Sequence, residues 1–232
     1  MRGDDDSLRR LTGAVRDYRL FIERGYPEST MKKVVGDRHR LSGAERLLLY
    51  RGVSSSEEDR RRSAKRLPPE SVREARLLVD FYNVGFTLLN YRLGRLLFRS
   101  TDGFIRDAGA VHGRLGKAER LAWILEPLLE TLRDLRPKRV HFYLDSPVSH
   151  SGAHAAEIAA RAPNCGLEVE TYVVQSADYP LKQEGSGIIA TGDSAVIDAA
   201  SVGVVDLPAE VLYRAFSYEP PDLRSLLEGS DS

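Results

Sequence analysis

Three apolar runs in the 232-residue chain end in an aspartate or pass directly into one. They are Leu77-Leu78-Val79-Asp80, Phe142-Tyr143-Leu144-Asp145 and Ile188-Ile189-Ala190-Thr191-Gly192-Asp193. Short apolar runs of this kind read as buried strands. In a parallel α/β sheet, ligands bind in the crevice outside the carboxyl ends of the strands, so side chains far apart in sequence converge there. Carboxylates gathered at one edge repel one another and raise each other's pKa unless a cation sits among them. Mg²⁺ or Mn²⁺ suits carboxylate and amide oxygens. Asp80, Asp145 and Asp193 are therefore the candidate metal ligands.

Other residues fit the same chemistry. Asn83 follows Asp80 by three positions, where its amide could meet a bound water or hold the Asp80 carboxylate. Asp198 follows Asp193 by five and could supply a further carboxylate after a tight turn into a helix. The segment from Asp102 to Asp107 adds two acids and an arginine in an expected loop or helix start facing the same edge. Arg106, His112, Arg114 and Lys117 are the candidates for contacting substrate phosphates.

Each group also has an ordinary reading. Aspartate is among the best helix N-caps, and a strand running into a helix is where a cap is wanted. Asp102-Gly103 is a turn signal, and Asp198 fits a solvated helix face. The run Arg60-Arg61-Arg62 with Lys65-Arg66 could track a nucleic-acid backbone, or pair along a helix with Glu57, Glu58 and Asp59. His150 and His154 are four apart, but Ser151-Gly152 lies between them and no glutamate adjoins, which argues against a metal-binding histidine pair. Gly185-Ser186-Gly187 precedes a strand instead of joining strand to helix, so it reads as a turn.

The elements that must position these groups are strands at residues 76–80, 139–145, 167–174, 187–191 and 202–206. Helical patterns alternate with them at 84–98, 117–135, 153–161 and 194–200. This alternation predicts an α/β fold with a mainly parallel central sheet flanked by helices. Before it, Leu8, Leu11, Val15, Tyr18 and Phe21 recur at helical spacing, and Ser42 with Glu45 makes a capping box. Leu67-Pro68-Pro69 stops the helical part. The expected organisation is a helical N-terminal subdomain over 1–70, an α/β domain over 71–216 and a flexible tail over 217–232.

With 42% hydrophobic residues the chain is neither disordered nor collagen-like. The single Cys165 excludes an internal disulfide and a cysteine-built zinc site. No apolar run approaches the roughly 20 residues needed to cross a bilayer, and the chain opens on Arg2 and Asp4 to Asp6 instead of an apolar signal core. The expected compartment is the cytoplasm, with no membrane partner. Residues 1–70 hold 17 Lys+Arg against 12 Asp+Glu and the remainder 17 against 22, so a basic segment precedes an acidic one. That balance is compatible with a metal-dependent enzyme handling a polyanion.

The segment Leu77-Leu78-Val79-Asp80-Phe81-Tyr82-Asn83-Val84 resembles the opening strand of the NYN branch of PIN-like nucleases, an apolar strand ending in aspartate with asparagine three residues on. Phe142 to Pro147 and Thr191 to Asp198 resemble further acidic strand ends of that superfamily. The wider pattern over residues 35–206 is similar to an uncharacterised prokaryotic family of unknown function with a helical N-terminal part and a PIN-like C-terminal part. The resemblance implies a metal-dependent ribonuclease with Asp80, Asp145 and Asp193 holding Mg or Mn, Asn83 beside them, and RNA as substrate. The alternative is a non-catalytic PIN-like module that binds nucleic acid or protein, because no acid between the first two strand ends is a clear match to the superfamily's helix acid; Asp107 is the choice for that place, and Glu119 could replace it. A homo-oligomer stays open.

Overall fold

The computed structural model describes residues 2–109, 115 and 118–228. In chain order its elements are α1 (Arg2–Glu23), α2 (Glu28–Arg38), α3 (Gly43–Gly52), α4 (Ser56–Lys65), β1 (Arg66–Leu67), β2 (Arg76–Asp80), α5 (Phe81–Arg92), β3 (Leu97–Arg99) and β4 (Ile105–Asp107). They continue with α6 (Ala118–Leu135), β5 (Arg139–Asp145), α7 (Ser151–Arg161), β6 (Val169–Val174), α8 (Asp178–Gln183), β7 (Ile188–Ala190), α9 (Ser194–Ala199), β8 (Val204–Val205), α10 (Leu207–Phe216) and α11 (Arg224–Glu228). The chain divides into two units. One comprises Met1–Ser63, Gly94–Ala110 and Pro220–Ser232; the other Ala64–Leu93 and Val111–Glu219.

The second unit carries the α/β architecture. Its six-stranded sheet has the order β1-β8-β7-β2-β5-β6, and every pairing in it is parallel. Leu77, Val79, Val140, Phe142 and Leu144 are fully buried on one face of its central strands. From β2 the chain passes to β5 and β6 on one side, then returns to β7 and β8 on the other. Because parallel crossovers are right-handed, the two directions put α5, α6 and α7 on one face and α8 and α9 on the other. The contacts agree: α5, α6 and α10 pack on one another, and α8 packs on α9. The apolar stripe expected on α6 is buried throughout, from Leu121 to Leu132. Gly187 opens β7 at φ +89, and a Cβ there would lie 2.7 Å from the Arg76 carbonyl oxygen, so the expected turn needs glycine.

The first unit gathers α1, α2 and α3 with the hairpin β3–β4 and the C-terminal segment. The capping box at α3 forms as expected: Ser42 Oγ accepts from Glu45 N, and Glu45 Oε2 accepts from Ser42 N at 2.7 Å. Val15, Tyr18, Val35, Leu48 and Leu49 share a core with Phe98 and Leu223. Gly52 makes that possible, since a Cβ there would come within 2.6 Å of both Phe98 Cε2 and Leu223 Cδ1.

Two expectations change here. The helix expected through residue 98 stops at Arg92, because Gly94 turns the chain at φ +65 and β3 follows. The region expected as a tail is anchored as far as Glu228: Leu223 is 2% exposed, Arg99 N donates to Pro221 O and Leu223 N donates to Arg99 O. Sequence composition at that end is polar, but one leucine inserted among α1 and α3 side chains suffices to fix it. Among the described residues, no helix is long and apolar enough to cross a membrane.

The anchored terminus has a measurable consequence. Leu223→Ala should lower stability by about 2–5 kcal/mol, as for other buried leucines, read as a shift in the urea midpoint at constant slope. Removal of residues 217–232 should cost at least as much, whereas a flexible tail would leave the midpoint unmoved.

Candidate functional site

Strand order reverses between β2 and β7. Such a reversal leaves a crevice at the carboxyl edge, because the helices on its two sides lie on opposite faces. Asp80 closes β2 at this point, and Thr191-Gly192-Asp193 follows β7 directly. Two bonds join them: Thr191 Oγ1 donates to Asp80 Oδ2 at 2.9 Å, and Gly192 N donates to Asn83 Oδ1 at 2.7 Å. Asn83 thus holds the Gly192 backbone, while its own N–H is given to Asp80 Oδ1 at 3.4 Å. Asp145 closes β5 on the other side of β2.

Asp80 is only 4% exposed. Burial pushes its carboxyl up to about 7, the charges of Asp145 and Asp193 push the same way, and the Thr191 hydroxyl and the Asn83 amide act against them. Asp145 and Asp193 thus both act electrostatically on the buried Asp80.

Each acid also accepts from a backbone N–H, Asp80 and Asp193 as helix caps. Asp80 starts α5; Asp193 Oδ1 accepts from Ala195 N at 2.7 Å and Val196 N at 3.2 Å and starts α9; Asp145 Oδ1 accepts from Ala177 N at 2.8 Å. For Asp145 and Asp193 this uses one oxygen of the two. Among the described residues no three His, Cys, Asp or Glu side chains are grouped so as to enclose a metal ion.

The remaining expected residues fall elsewhere. Arg106 and Asp107 belong to the first unit and have different roles from those expected of them. Arg106 is buried and grips Asp102 with both nitrogens, at 2.9 and 2.7 Å, so its guanidinium is committed to structure. Burial alone would raise the Asp102 carboxyl, but Arg106, Ser100 and the Phe104 N–H hold it below the usual range. Asp107 accepts from Arg51 at 3.1 Å and from Gly109 N at 3.0 Å. Asp198 is exposed, and its carbonyl receives Lys65 Nζ at 2.8 Å. Glu119 is exposed in the first turn of α6. His112, Arg114 and Lys117 lie outside the described residues. In the basic run, Arg62 is buried and pairs with Glu58 at 3.4 Å, the helix-face reading.

Sequence reasoning missed two participants. Asp206 follows β8, is 3% exposed and caps α10 through Ala209 N at 3.2 Å. Four adjacent strands, β8, β7, β2 and β5, thus lead into aspartates along one edge. The signal was present, since the run Val202 to Val205 also ends in an acid. His154 was weighed as a metal ligand, but it is buried and its Nδ1 lies 2.9 Å from Tyr82 Oη, tying α7 to α5.

The buried Asp80 carboxyl makes stability depend on pH in a calculable direction. Its folded pKa lies above the unfolded one, so its contribution is fully present below about pH 4 and is lost as pH rises to about 7. At about 1.4 kcal/mol per unit, the loss is on the order of 4 kcal/mol. Asp80→Asn should remove this component, so that in denaturant titrations from pH 4 to 8 the stability of the variant changes less with pH than that of the parent chain. At pH 7.5, Mg²⁺ or Mn²⁺ should raise the melting temperature of the parent chain and not that of the variant.

Comparisons with known proteins match two adjacent stretches of the chain. Residues 69–210 match the model described as Domain of unknown function (DUF5616), and residues 10–65 match that described as Protein of unknown function (DUF434). The uncharacterized protein MJ0935 of Methanocaldococcus jannaschii is 30% identical over 200 residues, which cover 86% of this chain and 95% of that protein. No solved structure matches the chain. A match spanning five of the six strands of the parallel sheet, from β2 to β8, together with a relative alike over nearly its full length, places the chain in the DUF5616 family.

Proposed function

We propose that the chain is a divalent-cation-dependent endoribonuclease of PIN-like type, hydrolysing RNA phosphodiester bonds at the carboxyl edge of the sheet. The observation that carries this reading is the buried Asp80 at the reversal of strand order, tied to the end of β7 by Thr191 Oγ1, with Asp193 and Asp145 following the strands on either side of it. The resemblance of residues 77–84 to an NYN opening strand supports it. Asp80, Asp145 and Asp193 would hold Mg or Mn, which when bound lowers the pKa of a water and neutralises charge on the departing oxygen. Thr191 orients Asp80 through its hydroxyl, and Asn83 fixes the Gly192 backbone that carries Asp193 into place. Burial of Asp80 excludes water from one side of the cleft, so charge placed there acts through a low dielectric.

One observation favours a second reading. All three acids accept from backbone amides, and no three-ligand cage exists among the described residues. A non-catalytic PIN-like module would keep these bonds and bind RNA or protein without regard to Mg²⁺ or Mn²⁺.

Cleavage of a fluorescent single-stranded RNA with and without Mn²⁺ separates the two. The ribonuclease reading expects metal-stimulated cleavage that falls to background in Asp80→Asn and Asp193→Asn. Thr191→Val should retain the fold and lose about 10–100-fold in rate, the usual cost of removing a partner that orients a ligand. Metal-independent binding with no cleavage would support the module instead.

A further inference from the structure

The two faces of the sheet are covered unequally. Leu77, Val79, Val140, Phe142 and Leu144 meet the helices of one face, where Phe81 of α5 packs edge-on against Phe142 at 6.1 Å. The opposite face has α8 and α9, six residues each, so each is only about 9 Å long. Over β5 and β6 that face carries His141 and Tyr143, paired in register with Glu170 and Tyr172.

Tyr143 and Tyr172 stay half-buried and lie stacked, with ring centroids 5.1 Å apart and planes 18° apart. Their orientation is already fixed. The Tyr172 hydroxyl donates to Glu170, which also pairs with Arg139 at 3.3 Å. Beside Tyr172, at 5.5 Å, sits the His141 ring, whose side chain is 9% exposed and whose Nε2 has no hydrogen-bond partner, Glu170 Oε1 stopping at 3.8 Å. His141 Nε2 is itself enclosed, so its ring backs the aromatic pair, and the part of the two tyrosine rings that stays accessible is the surface open to a planar ligand. The register places this pair beside the strand-end acids: Tyr143 pairs with Asp80 and lies two residues before Asp145.

We propose that Tyr143 and Tyr172 form a stacking platform for a nucleobase of single-stranded RNA. This rests on the ribonuclease reading and gives it a substrate-holding surface. Stacking serves any base, because every base has a π-face, so the platform holds the strand without selecting its sequence.

The test is fluorescence anisotropy with a labelled 12-nucleotide RNA and with the same strand lacking its bases, Ca²⁺ replacing Mg²⁺ to slow cleavage. Tyr172→Leu should weaken binding of the complete strand about tenfold, and Tyr172→Phe, which keeps the ring, should stay within about twofold of the parent chain. The parent chain should bind the abasic strand as weakly as Tyr172→Leu binds the complete one, an arm that needs no variant to fold. Equal affinity of parent chain and a folded Tyr172→Leu, or of the two strands, overturns the platform. If Mn²⁺-dependent cleavage persists in that case, the ribonuclease reading survives alone. Tyr172-dependent binding without cleavage keeps the platform and removes the ribonuclease; no binding of either strand removes both.

Discussion

A carboxyl group held almost out of water at the reversal of strand order is the constraint around which the second unit is arranged. Asp80 ends a strand flanked on both sides, its hydroxyl donor comes from the neighbouring strand end, and two further acids raise the free energy of its charged form. Burying a charge without full pairing costs several kcal/mol. A sheet as apolar as this one can carry that cost, with Leu77, Leu78, Val79 and Ile189 fully buried beneath. The strain is confined to the edge where ligands enter parallel sheets, which is where local rules are broken for function.

Capping and cation binding do not exclude each other here. A helix N-terminus presents unpaired N–H groups and a partial positive charge, which favours an adjacent carboxylate. α5, α9 and α10 all begin at strand-end aspartates, so the row of acids is partly compensated by backbone dipoles before any ion arrives. Such a row is stable enough to exist without metal. It would hold an ion weakly by itself and more firmly once a phosphate completes the coordination, which is the usual behaviour of Mg²⁺ with one or two carboxylates.

What could be read from the chain divides along physical lines. β2 and β5 were legible to the residue, because a fully buried parallel strand is a continuous apolar run with a sharp polar end. The aspartates at the ends of both strands were legible from the same signal. The two-residue β1 had no pattern to find. The hairpin β3–β4 was hidden because Leu96, Leu97 and Phe98 continue the apolar spacing of α5, and only Gly94 marks the break. Arg106 and Asp107 look like site residues by type, yet their roles depend on partners such as Asp102 and Arg51, which local spacing cannot pair with them. Asp206 was overlooked although its run obeys the same rule as the others.

The family matches break between residues 65 and 69, but the structural units do not follow that break. Residues 94–110 lie inside the DUF5616 match and yet belong with the N-terminal helices, as does the segment from 220 onward. Gly52 explains why. Its missing side chain is filled by Phe98 and Leu223, which reach the Leu48–Leu49 core from two distant points of the chain. Helices cut off at residue 65 would leave that core open on one side, and an exposed apolar patch of this kind favours association over a folded monomer. The two sequence segments are therefore not two independent folding modules. The helical unit is complete only when the α/β part has contributed its hairpin, so the families that meet in this chain are coupled through the core of the first unit.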